Sequence, residues 1–188
     1  MRCKKLIVGL LSAVLLLGGC SEERATAQET VIQETAFFKV TQAEQLYTCT
    51  FFDKDGTVVK TEEALAKEPH VESVDEGLIR FTYQAGLGIG TQWGYYYDTE
   101  NERFSDVFQS ILDQNNGLVA YLDTDKVVMR DIFDENEYIR EFDSFEKDFS
   151  PVAAPIVDAF FLEEGTVLEI TYLAGSEYEE VTEQFNLK

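Results

Sequence analysis

Leu78-Ile79-Arg80-Phe81-Thr82-Tyr83-Gln84-Ala85-Gly86 indicates the architecture of this chain, because a similar stretch recurs at Val167-Leu168-Glu169-Ile170-Thr171-Tyr172-Leu173-Ala174-Gly175. Both stretches are rich in β-branched and aromatic residues and end at a glycine, which is typical of a strand followed by a turn. Each follows a proline-led segment, Pro69-His70-Val71 or Pro155-Ile156-Val157, that would open a hairpin. The match predicts that one pair of strands has been duplicated along the chain.

Four tyrosine-led segments repeat with a similar period. They begin at Tyr47, Tyr95, Tyr138 and Tyr178, which are 48, 43 and 40 residues apart. This period, with about four strands per unit, resembles the blade spacing of β-propellers. The sequence therefore predicts an all-β fold over residues 34–188, an antiparallel meander of about four propeller-like units. The units could form a small or partial β-propeller, as a closed ring or an open stack, and a β-sandwich is the alternative.

Two stretches have helical features. Thr61–Glu68 contains good helix formers and is followed by Pro69, so it is compatible with one or two helical turns. Phe104 to Leu112 carries apolar residues at helical spacing. The repeat instead places an outer strand of the second unit at residues 103–108, and a strand is the prediction there.

The N-terminus has the pattern of a signal peptide. A basic start, Arg2 to Lys5, precedes the apolar run Leu6–Leu17, which is about a dozen residues long. A stable transmembrane helix needs roughly 20 residues, so this run is better suited to a signal sequence.

The end of that signal resembles the lipobox of bacterial lipoproteins. The matching residues are Leu17-Gly18-Gly19-Cys20. In this family the signal is cut just before the cysteine, whose sulfur carries a diacylglycerol. The resemblance implies a signal peptide over 1–19, lipidation of Cys20, and attachment to the outer, extracytoplasmic face of the cell membrane.

The body of the chain also resembles uncharacterised small lipoproteins of Gram-positive bacteria. This likeness lies in Asp131-Ile132-Phe133-Asp134 and in the closing Ile170-Thr171-Tyr172-Leu173-Ala174-Gly175. It implies no particular activity.

Charge excludes some classes of partner. The chain carries a net charge of −21 at pH 7, and cleavage before Cys20 would remove basic residues but no acid. Such a surface repels phosphate, which excludes nucleic-acid binding, and it repels anionic lipid headgroups. Residues 20–33 are polar and lack an apolar period, so we expect a flexible tether that holds the body away from the membrane.

Cysteine and histidine usage limits the possible chemistry. Cys3 would leave with the signal and Cys20 would carry the lipid, so Cys49 has no internal partner and is predicted to be buried. His70 is the single histidine, and no Gly-x-Ser-x-Gly motif accompanies it. A multi-histidine metal site is therefore excluded, and we assign no catalytic residue, no metal ligand and no cofactor.

Two motifs suggest ligands only at first sight. A strand-like segment, rather than a helix, follows Gly86-Leu87-Gly88-Ile89-Gly90, so these glycines are not a phosphate loop. Asp53-Lys54-Asp55-Gly56 lacks the later ligands of an EF-hand and predicts a hairpin turn. The acidic turns at 98–102 and 131–137 leave a calcium site open.

The candidate contact surface for a ligand or partner is the aromatic cluster Trp93, Tyr95, Tyr96 and Tyr97. Strand aromatics usually pack in a core or across strands. Three consecutive tyrosines must nevertheless point to both faces of a strand, so we expect at least one face to present rings. An exposed ring could stack on a sugar or on a partner protein.

The sequence thus predicts a non-enzymatic binding or interaction module with a protein or glycan partner. The alternative is a carboxylate-dependent hydrolase that acts on cell-envelope or imported glycan. An enzyme of this kind should have a pocket with two converging carboxylates of shifted pKa, whereas a binding module should have an exposed aromatic patch.

Overall fold

The structure, a computed structural model, describes residues 29–85, 91–124, 126–135, 139–152 and 154–187. The secondary-structure elements of these residues are β-strands joined by turns and loops, apart from one short 3₁₀ turn at Glu163–Gly165. Within the same ranges, no helix has the length and hydropathy needed to cross a membrane.

The first sheet has four antiparallel strands in chain order. They are β1 (Thr30–Glu34), β2 (Phe38–Ala43), β3 (Leu46–Phe52) and β4 (Val58–Leu65). The turn between β3 and β4 is the predicted hairpin: the Asp53 carboxylate accepts hydrogen bonds from the backbone N–H groups of Asp55 (2.9 Å) and Thr57 (2.7 Å).

Two boundaries in this sheet correct the sequence-based expectations. Thr61 and Glu62 lie in β4, where they pair with Thr50 and Cys49, so residues 61–65 belong to a strand, interrupted by a bulge that includes Ala64 (φ 56°), rather than to a helix. Pairing with β3 overrides the local helix propensity. The sheet also begins at Thr30, inside the predicted tether, so a tether can extend no further than residue 29.

The second sheet contains the strand whose aromatic residues were predicted to contact a ligand or partner. Its strands are β5 (His70–Asp75), β6 (Leu78–Gln84), β7 (Gln92–Asp98), β8 (Arg103–Phe104) and β9 (Phe108–Gln109). β8 and β9 both pair with β7, at its two ends, so residues 103–109 supply an interrupted outer strand. The strand prediction for residues 103–108 is confirmed in this form.

The third and fourth sheets continue the meander. The third has β10 (Ile111–Asn115), β11 (Leu118–Asp123), β12 (Lys126–Asp131) and β13 (Ile139–Phe142), and the fourth has β14 (Ile156–Leu162), β15 (Val167–Ala174) and β16 (Glu179–Asn186). The prediction of an all-β antiparallel meander of about four units is therefore confirmed.

The sequence repeat corresponds to equivalent strands. The matching stretches at 78–86 and 167–175 supply β6 and β15, each the second strand of its sheet. Tyr47 and Tyr95 both lie in third strands, and Tyr178 directly precedes another. Tyr138 lies outside the described residues. The repeat therefore identified the sheet as the unit of the fold.

Three apolar clusters hold consecutive sheets together. Phe51, Phe81 and Tyr95 belong to the cluster between the first and second sheets. Tyr96 and Val119 belong to the cluster between the second and third sheets, and the largest cluster joins the third and fourth. Among the described residues, none of these clusters joins the fourth sheet to the first. The clusters therefore place the four sheets in a row, in chain order.

Gly94 allows the second and third sheets to approach closely. A Cβ atom at this position would lie 2.8 Å from the Phe81 carbonyl oxygen and 2.9 Å from Ile111 Cδ1. Because the Phe81 backbone in β6 cannot yield cheaply at such a distance, a larger residue would disturb the pairing of β6 with β7 and would push against Ile111 of the third sheet. Thr82 lies opposite Gly94 in β6, and this close approach fixes the surroundings of its side chain.

Candidate functional site

The three consecutive tyrosines of β7 are core residues. Tyr95 is 1% exposed, and Tyr96 and Tyr97 are both 0% exposed. The prediction that this strand presents their rings to a ligand is wrong for all three. The prediction assumed that one face of the strand meets solvent. The second sheet is instead covered by the first sheet on one face and by the third sheet on the other.

The hydroxyl groups of these tyrosines connect the sheets. Tyr95 donates to Glu62 Oε1 (3.1 Å) and Tyr97 donates to the Phe52 carbonyl oxygen (3.1 Å), both in the first sheet. Tyr96 donates to Gln114 Oε1 in the third sheet (3.3 Å). Burial raises the pKa of all three phenols, so they remain protonated hydrogen-bond donors.

Trp93 differs from the tyrosines that follow it. It is half-buried near the start of β7, where it pairs with Tyr83 on one side and Gln109 on the other. Part of its surface remains accessible, so Trp93 is the one member of the predicted cluster still able to contact a ligand.

A polar pocket lies at the same end of the second sheet. It has a volume of about 280 Å³ and is lined by Lys67, Glu68, His70, Thr82, Tyr83, Gln84 and Gln92. We call it the Thr82 pocket. Lys67 and Glu68 come from the connection between β4 and β5, and the other residues come from β5, β6 and β7.

Strand register places four of these residues on one face. His70 pairs with Thr82, and Gln84 pairs with Gln92. Thr82 and Gln84 lie two and four residues after Arg80 in β6, so all three side chains share one face. The Arg80 guanidinium Nη1 donates to Gln114 of the third sheet (2.7 Å). The four side chains therefore belong to the face of the second sheet that is turned toward the third.

Thr82 has a buried hydroxyl without a hydrogen-bond partner. The residue is 5% exposed, and within the described parts of the chain its Oγ1 is the buried side-chain polar atom that has no partner. The methyl carbon Cγ2, not the hydroxyl, is the atom that packs over Gly94. Buried hydroxyls in proteins almost always have a partner, and leaving one unpaired costs about 1–3 kcal/mol. Thr82 lines the pocket, so its Oγ1 is an unused hydrogen-bonding group buried in the pocket wall.

The charged groups around the pocket are held by local contacts. Lys67 Nζ donates to Gln84 Oε1, and His70 Nε2 lies 3.1 Å from Glu72 Oε1. Arg80 donates to the same Glu72 carboxylate through Nε (3.0 Å). Burial raises the pKa of Glu72, but the hydrogen bond and charge of Arg80 outweigh that effect and lower the pKa overall. Glu72 is therefore an ionised acceptor that positions His70.

A larger and more acidic cleft lies on the fourth sheet. It has a volume of about 550 Å³, and Glu146, Asp148, Glu177 and Glu179 are among its lining residues. All four side chains are exposed, and the one lysine, Lys147, contacts Glu179 (2.9 Å). Exposed acidic side chains with no buried partner are typical of a solvated surface. This cleft is therefore the weaker candidate for a binding site despite its size.

Three carboxylates with a lowered pKa act as structural acceptors. They are Asp53, Glu72 and Asp98, and none of them lines the acidic cleft or the Thr82 pocket. For Asp98, burial raises the pKa, but the hydrogen bonds from Asn101 and Arg103 together outweigh burial and lower the pKa overall. A general acid requires the opposite shift, so these carboxylates do not form a glycosidase pair.

Other predicted features can be placed only in part. Cys49 is fully buried, as predicted, and burial, followed by the nearby Glu62 carboxylate, raises its pKa to about 12. In the portion of the chain that the structure covers, no group of three or more His, Cys, Asp or Glu side chains is arranged to hold a metal ion. The lipidation candidate Cys20 and the glycines of residues 86–90 lie outside the described residues.

Sequence reasoning missed the Thr82 pocket. Its polar residues are separated in sequence, and none belongs to a recognisable motif. The available signal was the shared register of His70, Thr82 and the two glutamines in neighbouring strands, which becomes informative only once the hairpins are paired.

No family model matches the chain, and no curated protein matches it. Among solved structures, the chain is similar to Kluyveromyces lactis Hsv2. That similarity covers 83% of this chain and 72% of the other, with 10% sequence identity and a TM-score of 0.28. A likeness this slight assigns neither a fold family nor a function.

Proposed function

We propose that this chain is a non-enzymatic binding module, anchored by a lipid on Cys20 at the outer face of the cell membrane. The observation that carries the binding role is the Thr82 pocket, a concave site with a buried hydroxyl that has no partner in the protein. A site of this kind satisfies its hydrogen bonds by taking up a ligand or solvent.

Within the pocket's described lining, the Thr82 hydroxyl is not hydrogen-bonded to a base that could activate it as a nucleophile. Cys49 is buried in the first sheet, with a pKa raised to about 12, and His70 is held by Glu72 rather than by a serine or cysteine. Glu68 is the one carboxylate among the lining side chains, whereas glycoside hydrolysis uses a pair. Binding without turnover is the role that this set of groups supports.

The anchor is supported by the signal pattern and by charge. The basic start, the short apolar run and Leu17-Gly18-Gly19-Cys20 together suit lipid attachment. The full chain has a net charge of −21, and removal of the basic signal would leave a still more acidic body that anionic headgroups repel, so the lipid would supply its attachment to the membrane. The partners we propose are the membrane, through that lipid, and a glycan or protein in the envelope. Nucleic acid is excluded by charge.

Lipid labelling combined with fractionation tests the anchor. Cells that express the full chain are fed a labelled fatty acid, and the label and the protein are followed in the membrane fraction. We expect Cys20→Ala to lose the label and to leave the protein unprocessed or released. Cys49→Ala, the matched control, should retain both label and membrane attachment. Unchanged labelling and retention of Cys20→Ala would overturn the anchor.

Incubation with cell-envelope glycan fragments tests whether the chain cleaves glycan, which distinguishes a binding module from a hydrolase. We expect the fragments to be recovered intact, with no new reducing ends after prolonged incubation. Release of smaller fragments by the purified chain would overturn the proposal and support a carboxylate-dependent hydrolase.

A further inference from the structure

We infer that the Thr82 pocket binds a single neutral sugar ring, as a free sugar or as one residue of a glycan. This inference rests on the proposed binding role and deepens it by naming the class of ligand. It is argued from the hydrogen-bonding groups, the charge and the size of the pocket.

The hydrogen-bonding groups of the pocket match a ligand rich in hydroxyl groups. The Thr82 hydroxyl both donates and accepts, and the amides of Gln84 and Gln92 each supply donors and acceptors. A sugar hydroxyl likewise donates and accepts, so it can satisfy any of these groups. An apolar ligand would instead desolvate these groups without pairing the Gln92 amide or the buried Thr82 Oγ1.

The charge of the pocket favours a neutral ligand. Lys67 and Glu68 contribute one charge of each sign to the lining, and Glu72 lies against His70 just beyond it. The net charge of −21 repels anions at long range. A cation would be attracted more strongly to the acidic cleft, which Glu146, Glu177 and Glu179 line.

The size of the pocket favours one ring. Pockets that enclose small molecules usually have volumes of about 300–1,000 Å³. At about 280 Å³, the Thr82 pocket lies just below that range. It can therefore hold one sugar residue, while the rest of a longer glycan would extend into solvent.

Trp93 provides a built-in reporter of occupancy. It is the single tryptophan of the chain. It follows Gln92 directly and pairs with Tyr83, and both of these residues line the pocket. The Trp93 side chain points to the opposite face of β7 from Gln92, so the contact that couples it to the pocket is with the lining residue Tyr83, and a ligand that moves Tyr83 should change the fluorescence of Trp93.

The test is a titration of the full chain with D-glucose, D-galactose and N-acetyl-D-glucosamine, monitored by isothermal titration calorimetry and by the fluorescence of Trp93. We expect at least one sugar to give a saturable change with a dissociation constant of order 1 mM, as suits a small, open site. Thr82→Val, which removes the hydroxyl and keeps the shape, should weaken that binding about tenfold. Gln92→Leu should weaken it similarly. Thr50→Val, at a half-buried threonine of the first sheet, is the matched control and should bind as the wild type does.

Thr82→Val should fold normally, since it replaces an unpartnered buried hydroxyl by a methyl group of similar size. No saturable change with any of the three sugars would overturn the inference, as would wild-type affinity in Thr82→Val. Tri-alanine and glucose 6-phosphate are tested in parallel. If either binds and Thr82→Val weakens that binding, while none of the three sugars binds, the ligand is not a neutral sugar but the binding role stands. Failure of the proposed function would appear separately, as cleavage of glycan fragments or as a Cys20→Ala chain that keeps its lipid.

Discussion

Tyr95 and Tyr96 are neighbours in the chain, yet their hydroxyl groups donate hydrogen bonds to different sheets, Tyr95 to Glu62 of the first sheet and Tyr96 to Gln114 of the third. Consecutive strand residues point to opposite faces, and both faces of the second sheet are covered. The second sheet is therefore an inner layer of the row, fastened on each side by a buried phenol.

Removing either phenol hydroxyl should destabilise the fold modestly. We expect Tyr95→Phe and Tyr96→Phe each to lower the free energy of unfolding by about 1 kcal/mol, measured by urea denaturation. Tyr96→Phe should have the smaller effect, because Gln114 Oε1 also accepts from Arg80. Tyr178→Phe, at an exposed tyrosine, is the control and should change nothing.

The two effects should add in the double variant, since the two bonds lie on opposite sides of the sheet. A coupling of more than about 0.5 kcal/mol would contradict the view that they fasten independent interfaces.

Strand β1 should be required for a well-behaved domain although its side chains are exposed. A chain of residues 29–188 contains every described strand, and we expect it to be monodisperse in size-exclusion chromatography. Residues 35–188 lack β1 and uncover the edge of β2, so that chain should associate. Equal behaviour of the two chains would show that β1 contributes nothing to the first sheet.

Cys49 should report unfolding. Burial, followed by the Glu62 carboxylate, raises the pKa of its thiol to about 12, so little thiolate forms in the folded protein. In the chain of residues 29–188, where Cys49 is the single cysteine, we expect Ellman's reagent to react slowly at about pH 8 and rapidly in urea. Rapid reaction without denaturant would mean that the interface between the first and second sheets opens readily.

Asp98 should stabilise the protein in a pH-dependent way. Burial raises the pKa of Asp98, but hydrogen bonds from Asn101 and Arg103 lower it to below the ordinary value of 3.8. A group with a lowered folded-state pKa stabilises the protein above its unfolded pKa, and this contribution is lost as the pH falls through the folded value. The difference in free energy of unfolding between wild type and Asp98→Asn should therefore shrink from about pH 6 to about pH 3. A difference independent of pH would mean that the carboxylate charge plays no part.

Much of the architecture could be predicted because it depends on local pattern. The strand composition and the matching stretches at 78–86 and 167–175 identified the sheet as the repeated unit. Cys49 lies within an apolar strand, and its burial follows from that setting. The hairpin at Asp53 follows from an aspartate and a glycine between two strands.

The errors came from features that depend on neighbouring strands and sheets. Residues 61–65 have helical propensity, but pairing with β3 places them in a strand. The alternation of Tyr95, Tyr96 and Tyr97 between two faces was predictable from strand geometry alone. Whether each face would meet solvent or another sheet was not, because that depends on how the sheets pack.

The order of the residues was enough to specify strands, turns and their fourfold recurrence, since these follow from side-chain periodicity and from glycine and proline at turns. The candidate site needed the tertiary structure. Thr82 has the same sequence context as any strand threonine, and its hydroxyl becomes distinctive only after Gly94 has brought two sheets together around it and left Oγ1 without a partner. Burial and unsatisfied hydrogen bonds are properties of surroundings, and segments distant in sequence supply those surroundings.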